Sequence, residues 1–446
     1  IPNAFRAVNY LVFSENESMA RVYVETYGCA LNKGDTGLII DVLKSRGHTI
    51  VERIEEAEVF IVNTCTVRSE TESRMIDRIR ALREIAAARR GKLIVAGCMA
   101  KAQPYLVTKV APEASLVSPQ NASRIHLAVE SPSRTLLLTG ERDRDVVAKC
   151  LMDRVGLIAI QEGCLGNCSF CIVKNARRKI VSYPLEAVVK ATQDLVSLGA
   201  VEIELAGQDT GVYGLDIYGK QALPLLIKSI AEVSGDFMIR VGMLNPNTLA
   251  PIMDELIDAL RHRKVYKFLH IPIQSGSDKV LRAMNRNYTV DEYRSLIKEL
   301  RSRVPSIAIA TDIMVGHPGE SDEDFEETLR IVEELDFDRV HIAQYTSRSN
   351  TASAALRQVD SKLRKERLRE LSKVVEKVCY KKHKAMVGSV VRAFVTEKSR
   401  DSYTARTINY TPLVFKNGSD LRGKWVKVLV KSATFFDLRG EVVSIE

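Results

Sequence analysis

Three cysteines, Cys164, Cys168 and Cys171, stand in the run Gly163-Cys-Leu-Gly-Asn-Cys-Ser-Phe-Cys171, a Cys-x3-Cys-x2-Cys spacing. With 8 cysteines in 446 residues, three at fixed offsets arise by chance about 0.003 times per chain. In a reducing compartment, thiolates this close ligate metal or an Fe-S cluster rather than bridge. A structural zinc site takes four ligands, usually as two separated pairs, so zinc here would need completion by a residue such as Cys150. A 4Fe-4S cluster on three thiolates instead keeps one iron open to a ligand, and three thiols in one loop suit that chemistry.

Three more cysteines are dispersed. Cys29 follows the strand-like Arg21-Val-Tyr-Val-Glu25, Cys65 follows Val59-Phe-Ile-Val62, and Cys98 follows Leu93-Ile-Val-Ala96. Any one of them alone reads as a small buried hydrophobe. In an open α/β sheet, however, ligands gather at the carboxyl ends of the strands, which would bring all three into a second cluster site with an open iron. Cys150 and Cys379 match no spacing and read as inert thiols.

These residues need elements to position them. From residue 21 to about 135, β-rich runs (the last at Ala114 to Val117) alternate with the helical patterns Asp35 to Arg46 and Glu70 to Arg90, predicting an open parallel α/β domain. Beyond the polar stretch Gly140 to Asp145, six further strands are predicted at Gly156 to Ile160, Glu202 to Ala206, Phe237 to Val241, Lys267 to Ile271, Ile307 to Val315 and Arg339 to Ala343. Each is followed by a helical pattern, so the region reads as a partial (βα)6 barrel whose strand-end loops line one mouth. A charged helix over 361–380 carries the apolar stripe Leu363, Leu368, Leu371, Val374 and Val375. The remaining 65 or so residues, with strands at Val390 to Val395, Tyr403 to Asn409, Trp425 to Val430 and Glu441 to Ile445, predict a small antiparallel β-barrel.

Charge is uneven along the chain. Residues 361–446 hold 20 basic and 9 acidic side chains, a net +11 that leaves −2 for the first 360 of a chain at +9. A polyanion would be gripped from the C-terminal end. Tyr403, Tyr410, Phe415, Trp425, Phe435 and Phe436 lie among those cations, so an RNA loop held by phosphate contacts and stacking fits, although half of them could be core. No stretch approaches the ~18 uninterrupted apolar residues of a membrane span. No secretory signal is visible either, so a soluble cytoplasmic protein without membrane partners is expected. Ser321-Asp-Glu-Asp324 reads as a capping box, and no His-x3-His arrangement supports a zinc hydrolase.

Two three-cysteine sites followed by a basic β-module resemble the radical S-adenosylmethionine (SAM) methylthiotransferases, the family that includes MiaB, RimO and MtaB. The segments carrying the resemblance are Tyr27-Gly-Cys-Ala-Leu-Asn32, Val62-Asn-Thr-Cys65, Ala96-Gly-Cys98, His270-Ile-Pro-Ile-Gln-Ser-Gly-Ser277, Met284-Asn-Arg-Asn-Tyr288 and Asp312-Ile-Met-Val-Gly-His-Pro-Gly-Glu320. Gly207 to Asp216 and Cys171-Ile-Val-Lys-Asn-Ala-Arg177 look most like the archaeal and eukaryotic MtaB type, which acts on threonylcarbamoyladenosine in tRNA. Two departures, Ser347-Arg-Ser-Asn-Thr351 in place of a Pro- and Gly-containing loop and His317 in place of Phe, bear on the substrate rim.

The resemblance covers 20–446 and implies a methylthiotransferase domain at 20–135 with an auxiliary cluster, a radical SAM domain at 150–380 and a TRAM domain at 381–446; residues 1–19 read as an extension or expression remnant and 136–149 as a linker. It implies two 4Fe-4S clusters and SAM. Cys164, Cys168 and Cys171 would hold the catalytic cluster that cleaves SAM, and Cys29, Cys65 and Cys98 the cluster that carries or donates sulfur. Gln208, Asp209, Arg240 and Gln274, all at strand ends, would contact SAM, their alternative being ordinary loop polarity. The implied partners are the tRNA anticodon loop, an external electron donor and a sulfur donor. The implied reaction is 2-methylthiolation of N6-threonylcarbamoyladenosine. Isopentenyladenosine, a ribosomal-protein aspartate, and a non-catalytic Fe-S RNA-binding protein stand as alternatives.

Overall fold

In the computed structural model, residues 19–67 and 69–446 are described; the expected extension at 1–19 lies almost wholly outside them. The N-terminal sheet contains β1 (Arg21–Thr26), β2 (Thr49–Val51), β3 (Val59–Thr64), β4 (Lys92–Gly97), β5 (Ser115–Val117) and β6 (Leu136–Leu137), all parallel, in the order β2-β1-β3-β4-β5-β6. Every residue of β3 is buried, as a central parallel strand covered on both faces requires. β1, β3 and β4 are neighbours, so their carboxyl ends open side by side. β2 and β6 are too short to leave a periodic signal, and β6 comes from the stretch read as a linker.

The central region starts with an antiparallel hairpin of β7 (Lys149–Met152) and β8 (Val155–Ala159). β9 (Gln161–Glu162) and β10 (Val181–Ser182) pair beside the cysteine loop. β8 is then joined in parallel by β11 (Glu202–Ala206) and β12 (Met238–Val241), and β13 (Phe268–His270), β14 (Ala308–Val315) and β15 (Arg339–Gln344) form a second parallel set. Single bridges Ile239–Val265 and Met243–His270 join the two sets, giving the six parallel strands of the expected open barrel. The expected capping box is present at Ser321, whose side chain accepts from Asp324 N–H while Asp324 reaches back.

The charged helix runs over Ser361–Lys384 and buries Leu371, Val375 and Val378 rather than the whole expected stripe. It leads into a closed barrel of β16 (Val390–Lys398), β17 (Tyr403–Thr407), β18 (Pro412–Phe415), β19 (Trp425–Ala433) and β20 (Leu438–Ile445), ordered β16-β17-β18-β20-β19. The expectation of a wholly antiparallel barrel is corrected at one seam, where β18 and β20 run parallel. A closed ring of five strands has an odd number of seams and cannot alternate direction at all of them. β18 escaped sequence reading because Pro412 opens it, and proline reads as a strand breaker.

This small barrel seats its 408–410 turn on the amino ends of the central strands. Lys267 N–H donates to Ile408 C=O at 2.7 Å. The Tyr410 ring packs 4.8 Å from Tyr266 and 5.0 Å from Phe268. Among the described residues no helix is long and apolar enough to cross a membrane.

Candidate active site

β9 delivers the chain to Gly163, whose φ of +88° and an added Cβ only 2.1 Å from Lys179 O admit glycine alone. Gln208 braces this turn by accepting from Gly163 N–H at 2.6 Å. In the loop that follows, Gly166 N–H donates to Cys164 Sγ at 3.2 Å. A Cβ on Gly166 would sit 3.2 Å from Cys164 Sγ and 3.6 Å from Cys168 Sγ, inside the space the thiols border.

Two side chains from elsewhere in the barrel, Asn245 after β12 and Arg286 after the helix Asp278–Ala283, aim donors at the same sulfurs. Asn245 Nδ2 lies 3.5 Å from Cys164 Sγ, and Arg286 Nη1 lies 3.3 Å from Cys168 Sγ. Arg286 also donates to Asn245 Oδ1 at 3.0 Å. Asp209 holds Asn245 from behind, accepting from its Nδ2 at 2.7 Å, its N–H at 3.1 Å and Thr248 Oγ1 at 2.8 Å. Burial is the main force on these thiols: it pushes Cys164 up to about 11 and raises Cys171. A guanidinium and an amide N–H aimed at buried thiols are the environment of a ligated thiolate, whose charge would meet them.

The dispersed cysteines converge as their strand ends predict. Cys29 is the residue before the helix Ala30–Ser45, Cys65 follows β3, and Cys98 opens the helix Cys98–Ala102 after β4. Gly28, at φ +108°, approaches so closely that a Cβ would lie 2.5 Å from Cys65 Cβ. Burial lifts Cys98 to about 12 and raises Cys65, with the neighbouring thiols of the set adding to both.

Arg177 joins the two sets. It is buried, and its Nε–H donates to Cys98 Sγ at 3.4 Å, with Nη1 on Glu162 at 2.6 Å and Nη2 on Asn32 Oδ1 at 3.2 Å and on Asp35. Arg142 closes a buried quartet, donating to Asp35 at 2.5 Å and Tyr183 at 2.8 Å. Two cations against two carboxylates keep this junction between the N-terminal sheet and the barrel neutral. Cys98, Ala102, Ile172 and Ala176 pack into one apolar cluster across the same junction.

Both cysteine sets fit clusters better than a single ion. Neither brings three donor atoms within 4.8 Å of one another, which among the described residues only His270, Asp312 and His341 do. A four-iron cluster spreads its ligands over separate irons, and the cradles left by Gly166 and Gly28 give it room.

The four strand-end polar residues divide. Gln208 braces the cysteine turn, and Gln274, at φ +74° and half-buried, stays at the mouth. Asp209 has no exposed surface and its oxygens are occupied, so it positions Asn245 instead of meeting a ligand, which corrects the expected contact. Arg240 is corrected too. It pairs with Glu204 at 3.1 Å and lies over the rings of Phe268 and Tyr410 at 5.6 and 5.3 Å, turned toward the C-terminal barrel. His317 is not on the rim: it is buried beneath the cysteine loop, 2.8 Å from Ser353 Oγ and 3.3 Å from Ser169 Oγ.

Sequence reasoning gave no role to Arg177, Arg286 or Asn245. Arg177 had a signal, since it closes the run that leaves Cys171, where a buried cation must find a partner; Arg286 had none, as no cysteine lies near it in sequence. Asn245 had none beyond preceding Pro246.

Comparison with known proteins agrees with this geometry. Residues 158–332 match the Radical SAM superfamily, 21–118 the uncharacterized protein family UPF0004, and 384–443 the TRAM domain. A probable threonylcarbamoyladenosine tRNA methylthiotransferase of Methanocaldococcus jannaschii is 37% identical over 430 residues, covering 95% of this chain and 97% of that protein. The threonylcarbamoyladenosine tRNA methylthiotransferase of Homo sapiens is 32% identical over 443 residues, 95% of this chain and 74% of the human one. Among solved structures, the radical S-adenosylmethionine methyltransferase TsrM from Kitasatospora setae shares the fold at a TM-score of 0.58 and 13% identity, over 85% of this chain and 79% of that one.

Proposed function

The chain belongs to the threonylcarbamoyladenosine tRNA methylthiotransferase family, and from that premise we propose that it places a methylthio group on carbon 2 of N6-threonylcarbamoyladenosine beside the anticodon. Cys164, Cys168 and Cys171 would hold a 4Fe-4S cluster that binds SAM at its open iron, and Cys29, Cys65 and Cys98 would hold a second. When bound, the first supplies a carbon-centred radical from SAM, and the second supplies the sulfur. Carbon 2 of adenine carries no acidic proton, so removal of a hydrogen atom is the route left to an enzyme.

The observation that carries the reading is the reach of Arg177, rooted six residues after Cys171, to the sulfur of Cys98. It supports two clusters facing one cavity. The chain's own side chains then have defined work. Asn245 and Arg286 donate to the sulfurs of Cys164 and Cys168, Asp209 fixes Asn245, and the buried quartet aligns the two halves. The division into 20–135, 150–380 and 381–446 follows these roles, with the basic C-terminal part holding tRNA and an external reductant and sulfur donor serving the clusters. A reducing compartment such as the cytoplasm suits exposed Cys29.

Mass spectrometry of tRNA nucleosides from a deletion strain tests the reading. The 2-methylthio derivative should vanish, leaving N6-threonylcarbamoyladenosine, and return with the wild-type gene. Loss of methylthiolated isopentenyladenosine instead would overturn the substrate assignment.

A further inference from the structure

The lumen of the central barrel holds a cluster that neither cysteine set uses. Phe268, Ala308 and Ala310 face inward, packing in one apolar group with Tyr410. Side chains alternate along a strand, so His270 two residues after Phe268, and Asp312 two after Ala310, share that inward face. Asp312 is the direct cross-strand partner of His341. His270 Nε2 and His341 Nδ1 each lie 3.0 Å from the same oxygen, Asp312 Oδ1, and the two rings meet edge to face with centroids 5.0 Å apart. The three donor atoms all fall within 4.8 Å of one another.

We propose that His270, Asp312 and His341 form a binding site for one first-row divalent metal ion. Two imidazoles and one carboxylate on three adjacent strands make a facial set that leaves further coordination positions open. Both rings meet Oδ1, and among the described residues nothing donates to Oδ2, which leaves that oxygen of the carboxylate available to an ion. Two neutral imidazoles and one carboxylate would leave a divalent ion with one net positive charge, so water or an anionic oxygen would complete its shell. Iron, zinc and manganese all accept these donors. The site does not depend on the methylthiotransferase reading, since it shares no residue with either cysteine set.

The test is a manganese titration of the reconstituted holoenzyme, with both clusters in their EPR-silent oxidised state, in which the six-line signal of unbound Mn(II) is followed. Wild-type protein should take up one Mn(II) per chain, and zinc should displace it. His341 has 42% side-chain exposure, so its replacement spares the core. His341→Ala and His341→Gln should keep the full iron content, which reports an intact fold, and lose at least tenfold in manganese affinity. Uptake equal in wild type and both variants, or no uptake of manganese or zinc by the wild type, would overturn the proposal.

Discussion

Arg177 donates to the sulfur of Cys98 at 3.4 Å while its own backbone belongs to the segment that leaves Cys171. One guanidinium thus serves a thiol of the N-terminal set from within the central region, with Asp35 and Glu162 fixing its direction. Arg177→Lys keeps the charge but loses the planar fork. It should destabilise the protein by about 1.5–3 kcal/mol, because Asp35 and Glu162 keep a nearby positive charge and Arg142 but lose hydrogen bonds from the fork. In protein whose Cys164, Cys168 and Cys171 are all alanine, the same change should shift the remaining cluster's reduction potential downward, as loss of a donor to a ligand sulfur disfavours added negative charge. Thermal unfolding and a redox titration measure the two effects.

The cysteine sets should separate by chemistry. Anaerobic reconstitution is expected to give about eight irons per chain. Replacing Cys164, Cys168 and Cys171 should leave about four and abolish SAM cleavage. Replacing Cys29, Cys65 and Cys98 should also leave about four, keep SAM cleavage and stop sulfur insertion. Methylthiolated product from the second variant would show that the roles are misassigned.

Glu202 gives a pH dependence. Its buried carboxyl is pushed up to about 7, chiefly by burial and then by Glu204, while Tyr410 donates to it at 2.7 Å. The folded state therefore holds a proton that the unfolded chain releases near 4.5. The contribution to stability is full below that value, falls as pH rises, and is gone above about 7, with a span of up to about 3 kcal/mol. Glu202→Gln should flatten the decline in unfolding midpoint between pH 5 and 8 if this group causes it.

The repeating βα pattern was legible because buried parallel strands such as β3 and β4 are built on runs of apolar residues bounded by turns. Cys29, Cys65 and Cys98 were legible because each lies within four residues of the end of a strand-like run. What stayed hidden are contacts between segments far apart in sequence. Nothing near Asn245 announces Cys164, 81 residues away. Arg240 misled because its place near a strand end says nothing about which mouth its long side chain faces, and Tyr410 of another domain decided that. His341 matched no helical metal motif, since its partners sit on adjacent strands.

RNA binding should split into charge and stacking. Tyr403, Tyr410 and Phe415 are buried and serve the core, whereas Phe436 is 60% exposed beside Phe435, near Tyr380, Lys373 and Lys377. Lys373→Ala with Lys377→Ala should lower the slope of log affinity against log salt by about 0.7 to 0.9 for each phosphate no longer neutralised. Phe436→Ala should cost about 1–3 kcal/mol in tRNA affinity with the slope unchanged. Filter binding across a salt series separates them. Truncation near residue 380 is a poorer experiment, because removing Tyr410 would bare Tyr266 and Phe268.

The C-terminal barrel is wedged into the floor of the central one by Tyr410, tied by Lys267 to Ile408, and clamped by Arg422 on Asp153. A tethered arm could swing to whatever nucleic acid came near, whereas a seated one works as a measuring rod. The span from the basic patch to the sulfurs is then set by the protein, so an RNA loop bound there would be chosen by how far its target base lies from the backbone being held. Selectivity of that kind asks for the right distance before it asks for the right letters.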